Sequence, residues 1–177
     1  MSEPEASRPG AAALDAAAPG SNHAFRFDRV LLASHGTPGA QAAEQAAIGL
    51  ASSAATIFHL VVIPDFWKGM MGDDWLNNAS TRATYGRHVE SQLAREIETH
   101  RQRLEREILD HGRCYEFRAV LGKPDQALLK YAAEVRPDLV VVGTPRPRGT
   151  PGLRSRMHID KLAGALDAAI VIIPPPR

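Results

Sequence analysis

The chain is predicted to fold as an α/β protein, with a doubly wound, largely parallel sheet of five strands and helices on both faces. Three observations predict it. The apolar residues gather into short unbroken runs, RVLLAS, TIFHLVVIP and DLVVVG, as strands covered on both faces do. Helix-like stretches with apolar spacings of three and four separate those runs. The alternation then continues to the end of the chain, which makes each crossover connect parallel strands.

Each element follows in turn. RVLLAS (29–34) is the first strand and HGTPG a turn. AQAAEQAAIGLA is a small-residue helix with Ala43, Ala46, Ala47 and Leu50 on one face. TIFHLVVIP (56–64) is the second strand, and a long connection occupies 65–86. The strongest helical pattern runs from about Arg87 to His111, through Val89, Leu93, Ile97, His100, Leu104 and Ile108. His100 in that stripe reads as a partly buried histidine with a local partner. Gly112 stands where a helix ends. YEFRAVLG is the third strand. Pro124 opens the next helix, with Asp125 in its favourable first turn. DLVVVG, an Arg-rich loop, the helix HIDKLAGALDA and the closing strand AIVIIP complete the pattern.

At 177 residues the chain suits one domain with a tail. Residues 1–26, rich in Ala, Pro, Gly and Ser, read as a disordered tail, leaving 27–177 as the domain. The tail lacks the basic start and apolar core of a signal peptide, so a cytoplasmic protein is expected. With 21 basic and 20 acidic residues the net charge is +1, which points to neither nucleic acid nor membrane as a partner. No run approaches the ~18 apolar residues of a membrane span. The single cysteine, Cys114, excludes an internal disulfide.

Ligands of such sheets sit beyond the carboxyl ends of the strands, near the switch in strand order. The expected wall is Ser34–Thr37, the chain after Ile63, Gly122–Lys123 and the loop 143–157. No nucleophile elbow, HExxH, CxxC or Walker pattern falls there, and catalysis is not expected. An enzyme working through the SHGTPG turn would need an acidic partner for His35, with Asp65 or Asp73 as candidates. His35, His59 and His158 are scattered without ligand spacing, so no metal site is expected.

RVLLASHGT, LGKPDQALLKYAAEVRPDLVVVGT and AIVIIP together resemble the universal stress proteins over residues 29–175. The middle segment is the most specific, a Gly-x-Pro helix leading into DLVVVG. The resemblance implies a flavodoxin-like sheet of order 3-2-1-4-5 and a homodimer paired through the last strand, Ala169 to Ile173. It also implies a non-catalytic, stress-responsive regulatory or protective role. Members that bind ATP carry Gly-x2-Gly-x9-Gly-Ser/Thr after the fourth strand. Here Gly143 matches the first glycine, while Arg146, Arg156 and Met157 replace the second, the third and the hydroxyl residue. The nucleoside-binding Asp of the first strand becomes His35, and the resemblance places Ala33 and Leu60 at the same site. Glycine lets the backbone approach phosphate, whereas an arginine fills that space. No cofactor is therefore expected, ATP in the usual pose included.

A second reading keeps a ligand. Arg146, Arg148, Arg154, Arg156 and Lys161 form a cationic rim within sixteen residues, suited to a different nucleotide or another anion. The plainer reading is a solvated loop paired with local carboxylates. Both tryptophans fall in the segment Phe66–Leu76, with Met70 and Met71, which reads as a contact for a protein partner or second subunit.

Overall fold

The computed structural model describes residues 26–34, 38–63, 79–144 and 157–174. Five parallel strands, β1 (Phe27–Ala33), β2 (Ala51–Ile63), β3 (Cys114–Leu121), β4 (Leu139–Gly143) and β5 (Ala169–Ile173), form one sheet in the order β3-β2-β1-β4-β5. Four helices connect them: α1 (Pro38–Leu50), α2 (Ala79–Asp110), α3 (Pro124–Val135) and α4 (Ile159–Ala165).

Strand order explains the two layers. The chain steps outward from β1 through β2 to β3, then jumps back across β1 to β4 and β5. Right-handed crossovers in opposite directions put their helices on opposite faces. One core accordingly joins Val30, Leu32, Ile57, Leu139 and Val141 to Ala43 and Ala47 of α1 and Leu104 and Ile108 of α2. The other joins Leu31, Phe58, Leu60, Val140 and Val142 to Leu128 and Tyr131 of α3 and Leu162 of α4. Alternate residues of one strand thus supply both cores, which is why the strand runs show no polar alternation.

Two elements are longer than the sequence predicts. β2 begins at Ala51 rather than Thr56: Ala51 pairs with Phe27 of β1, and the Arg113 guanidinium donates to the carbonyls of Ala51 (3.0 Å) and Ser52 (3.1 Å). α2 begins at Ala79 rather than about Arg87 and runs for 32 residues, about 48 Å. Residues 79–86 lack the apolar stripe, but extending an existing helix is far cheaper than nucleating one. Gly112, at φ 73°, ends α2 as expected.

Candidate functional site

The carboxyl ends of β1 and β4, where the strand order reverses, lie side by side. Ala33 is in register with Leu60 of β2 and with Val142 of β4. Gly143 pairs with Ile173, and the Thr144 N–H donates to the Ile173 carbonyl at 2.9 Å. Leu60 is buried within the α3/α4 core, and the partly buried Ala33 and Met157 pack against that same core. Four of the candidate residues, Ala33, Leu60, Gly143 and Met157, therefore belong to one edge. His35, Arg146, Arg148, Arg154, Arg156 and the Phe66–Leu76 segment lie outside the described residues, as does the N-terminal tail through residue 25.

A side-chain hydrogen bond joins the starts of α3 and α4 at this edge. His158 Nδ1 lies 3.2 Å from Asp125 Oδ2, and the Gln126 N–H donates to Asp125 Oδ1 at 3.0 Å. Burial acts to raise the Asp125 pKa, but the Gln126 and His158 hydrogen bonds outweigh it and hold the carboxyl below its usual range. Asp125 is thus more than a residue in a favourable first turn, since it fastens two helices together.

Below the same edge, on the α1/α2 face, lies a buried polar network that the sequence reading missed. Its centre is Glu44 of α1, fully buried. The Ser34 hydroxyl, at the end of β1, donates to Glu44 Oε1. His100 of α2 donates from Nε2 to that oxygen at 2.8 Å, and the Arg103 guanidinium donates to Oε2. His59 of β2, also fully buried, places Nε2 3.2 Å from the Ser34 carbonyl and Nδ1 2.8 Å from the Tyr115 hydroxyl of β3. A carbonyl only accepts, so Nε2 carries the proton and the Tyr115 hydroxyl donates to Nδ1. The His100 ring stands edge-on to His59, with centroids 5.0 Å apart.

These contacts fix the charges. Burial alone raises a carboxylate pKa, but hydrogen bonds from His100, Ser34 and Arg103 prevail and hold Glu44 at about 2, below its ordinary 4.5. For His59, burial is the chief cause of a fall from 6.5 to about 4, reinforced by nearby His100 and only partly offset by the Ser34 carbonyl. At neutral pH His59 is thereby a neutral imidazole and Glu44 an ionised carboxylate. Burial also pushes the Tyr115 phenol upward. Among the described residues no buried side-chain nitrogen or oxygen lacks a partner.

The structure gives His59 a role and corrects the reading of His100. His59 is one link in a hydrogen-bonded chain through five elements, and His100 finds its partner 56 residues away rather than locally. A signal for Glu44 did exist: Ala40, Ala47 and Ile48 are its three- and four-residue neighbours, so Glu44 falls within the buried stripe of α1. Among the described residues no group of three or more His, Cys, Asp or Glu side chains is placed to hold a metal ion. Nor is any described helix long and apolar enough to cross a membrane.

The family model described as "Universal stress protein family" matches residues 26–174. The chain belongs to the universal stress protein family. Solved members share its flavodoxin-like fold. Universal stress protein UspA from Lactobacillus plantarum is 16% identical, covers 84% of this chain and 98% of its own, and superposes with a TM-score of 0.60. A universal stress protein solved in complex with cAMP is 19% identical over 85% of this chain and 99% of its own, with a TM-score of 0.55. A universal stress protein family protein from Arabidopsis thaliana, solved with AMP bound, is 12% identical over 84% and 92%, with a TM-score of 0.54. No curated protein matches in sequence.

Proposed function

We propose that this universal stress protein is a non-catalytic, stress-responsive regulator, acting as a cytoplasmic homodimer in which the family's nucleotide site has been altered. On this reading Ala33, His35, Leu60, Gly143, Arg146, Arg156 and Met157 occupy the positions of that site and do not hold ATP in the usual pose. The observation that carries the reading is Met157. It stands where ATP-binding members present a hydroxyl, and its thioether side chain packs partly buried against the α3/α4 core. A methionine there offers phosphate no hydrogen-bond donor. Arg146 and Arg156, in place of glycines, add bulk where the backbone would approach the phosphates. In this proposal residues 1–26 are a tail outside the domain of 27–177.

A second reading, a sensor of another nucleotide or anion through the Arg-rich loop, is favoured by the relatives solved with cAMP and with AMP. Calorimetric and thermal-shift titrations of the full chain with ATP, AMP, cAMP and inorganic phosphate separate the two. The altered-site reading expects no rise in Tm with any of them at millimolar concentration, since a ligand of the folded state must raise it by mass action. A rise with AMP or cAMP that is lost when Arg146 and Arg156 are both changed to Ala establishes the sensor instead. Saturable ATP binding independent of both arginines overturns both readings.

A further inference from the structure

Glu44 is a fully buried charge that the altered nucleotide site does not explain. Its carboxylate receives donors from two other elements, Ser34 at the end of β1 and His100 with Arg103 on α2. Ser34 is in turn fixed from the sheet side, its carbonyl by His59 Nε2 and its N–H by the Leu60 carbonyl at 3.2 Å. We propose that Glu44 is a coupling hub that locks the end of β1 to α2, so that a displacement of either is transmitted to the other.

A buried carboxylate makes the coupling close to all-or-none. Withdrawing one donor leaves a fully buried charge short of a partner, and each remaining hydrogen bond depends on the geometry that the lost one maintained. The end of β1 and the His100 turn of α2 therefore hold together or release together. Both ends matter to the molecule. Ser34 is the last described residue at the carboxyl end of β1, beside the Leu60 register position. His100 lies 21 residues after the start of α2, so most of this helix lies upstream of the lock. The coupling makes α2 the element that reports events at the end of β1, and it holds whether or not a nucleotide binds there.

Thermodynamic coupling is reciprocal, which supplies the test. Amide hydrogen exchange is followed by mass spectrometry in the full-length protein and in Ser34→Ala and His100→Ala. Val140–Val142 of β4, fully buried on the sheet, report global unfolding. Ser34→Ala is expected to speed exchange over 97–104 of α2 by about tenfold beyond any change in β4, and His100→Ala to do the same at Ala33 and Ser34. Should either variant not fold, Arg103→Gln reads the coupling from α2, because the Arg103 side chain is 43% exposed and tolerates change. Faster exchange confined to the substituted element overturns the proposal. So does a rise of the same factor in α2, β1 and β4, which is global loss of stability alone.

Discussion

At the scale of single residues the strongest commitment in this protein is a pair of buried groups whose protonation the fold dictates. His59 is faced by the Tyr115 hydroxyl from β3, the Ser34 carbonyl from β1, His100 and Arg103 from α2, and Glu44 from α1. Its pKa falls from 6.5 to about 4, so between those values the unfolded chain binds a proton that the folded chain refuses. Stability is then complete above pH 6.5 and declines as pH drops to 4, by roughly 3 kcal/mol in all. Glu44 adds a second loss at lower pH. Its carboxylate is ionised in the fold down to about pH 2, and stability falls from 4.5 toward that value. Urea denaturation across pH 3.5–7.5 is expected to show the first decline, and His59→Gln to flatten it. An unchanged midpoint between pH 6.5 and 4 in the natural chain means that His59 is not held neutral. Glu44→Gln, at pH 7, removes the charge that Arg103 and His100 face and is expected to cost about 3 kcal/mol. The same denaturation series measures it.

Among the elements, α3 is fixed at both ends by contacts distant in sequence. Its start is tied to α4 through Asp125 and His158, and its end to β1 through Arg29. The Arg29 guanidinium donates to the Val135 carbonyl from Nε (2.8 Å) and Nη2 (2.5 Å) and lies 4.9 Å from the centroid of the Phe58 ring. The Asp138 carboxylate receives the N–H groups of Asp28 (3.0 Å) and Arg29 (2.8 Å). Between these anchors Arg136 takes φ 42°, a left-handed conformation that favours glycine, and its N–H closes the helix on the Ala132 carbonyl. Arg136→Gly is therefore expected to raise Tm, corresponding to about 1 kcal/mol, although it removes a side chain. Calorimetry that shows a lower Tm means the Arg136 side chain contributes more than its backbone strain costs. Sequence reading captured what depends on local pattern. Each apolar run is a strand, because burial on both faces leaves no polar alternation to confuse it, and Gly112 and Pro124 punctuate helices through their own backbone chemistry. It missed what depends on distant partners. The strand extends back to Ala51, where Ala51 pairs with Phe27 of β1 and Arg113, about 60 residues on, holds the Ala51 and Ser52 carbonyls. Glu44 stands in the apolar stripe of α1, but the donors that let it be buried there, Ser34, His100 and Arg103, come from elsewhere in the chain. Register sets Ala33 beside Leu60 and Val142, one residue before Gly143, because parallel pairing from the strand order alone places these positions side by side.

At the scale of the whole molecule β3 and β5 are the edge strands of the sheet among the described residues, and they differ in character. β3 carries Glu116 and Arg118, and Arg118 forms an ion pair with Glu134 while lying 4.2 Å from the centroid of the Tyr131 ring. Charged side chains of this kind discourage another strand from pairing. β5 reads Ala-Ile-Val-Ile-Ile with no charge, Ile172 is 37% exposed, and Pro174 follows directly. A proline cannot donate to a ladder, so Pro174 ends the pairing edge of β5 at Ile173. The β5 edge thus has the features of a surface closed by a second copy of the chain, as our proposal of a homodimer requires. Light scattering coupled to size exclusion is expected to give twice the chain mass of 19.2 kDa. Ile172→Glu is expected to shift the protein to the single mass, because two carboxylates would meet across a twofold interface and each would lose water on association. Its circular dichroism should stay that of the natural chain, since Ile172 lies outside both cores. A dimer that persists in Ile172→Glu yet separates when Arg118 is changed to Glu places the interface on β3 instead. A single-chain mass for the natural protein at tens of micromolar removes the homodimer altogether and leaves β5 as an edge guarded by its length and its proline.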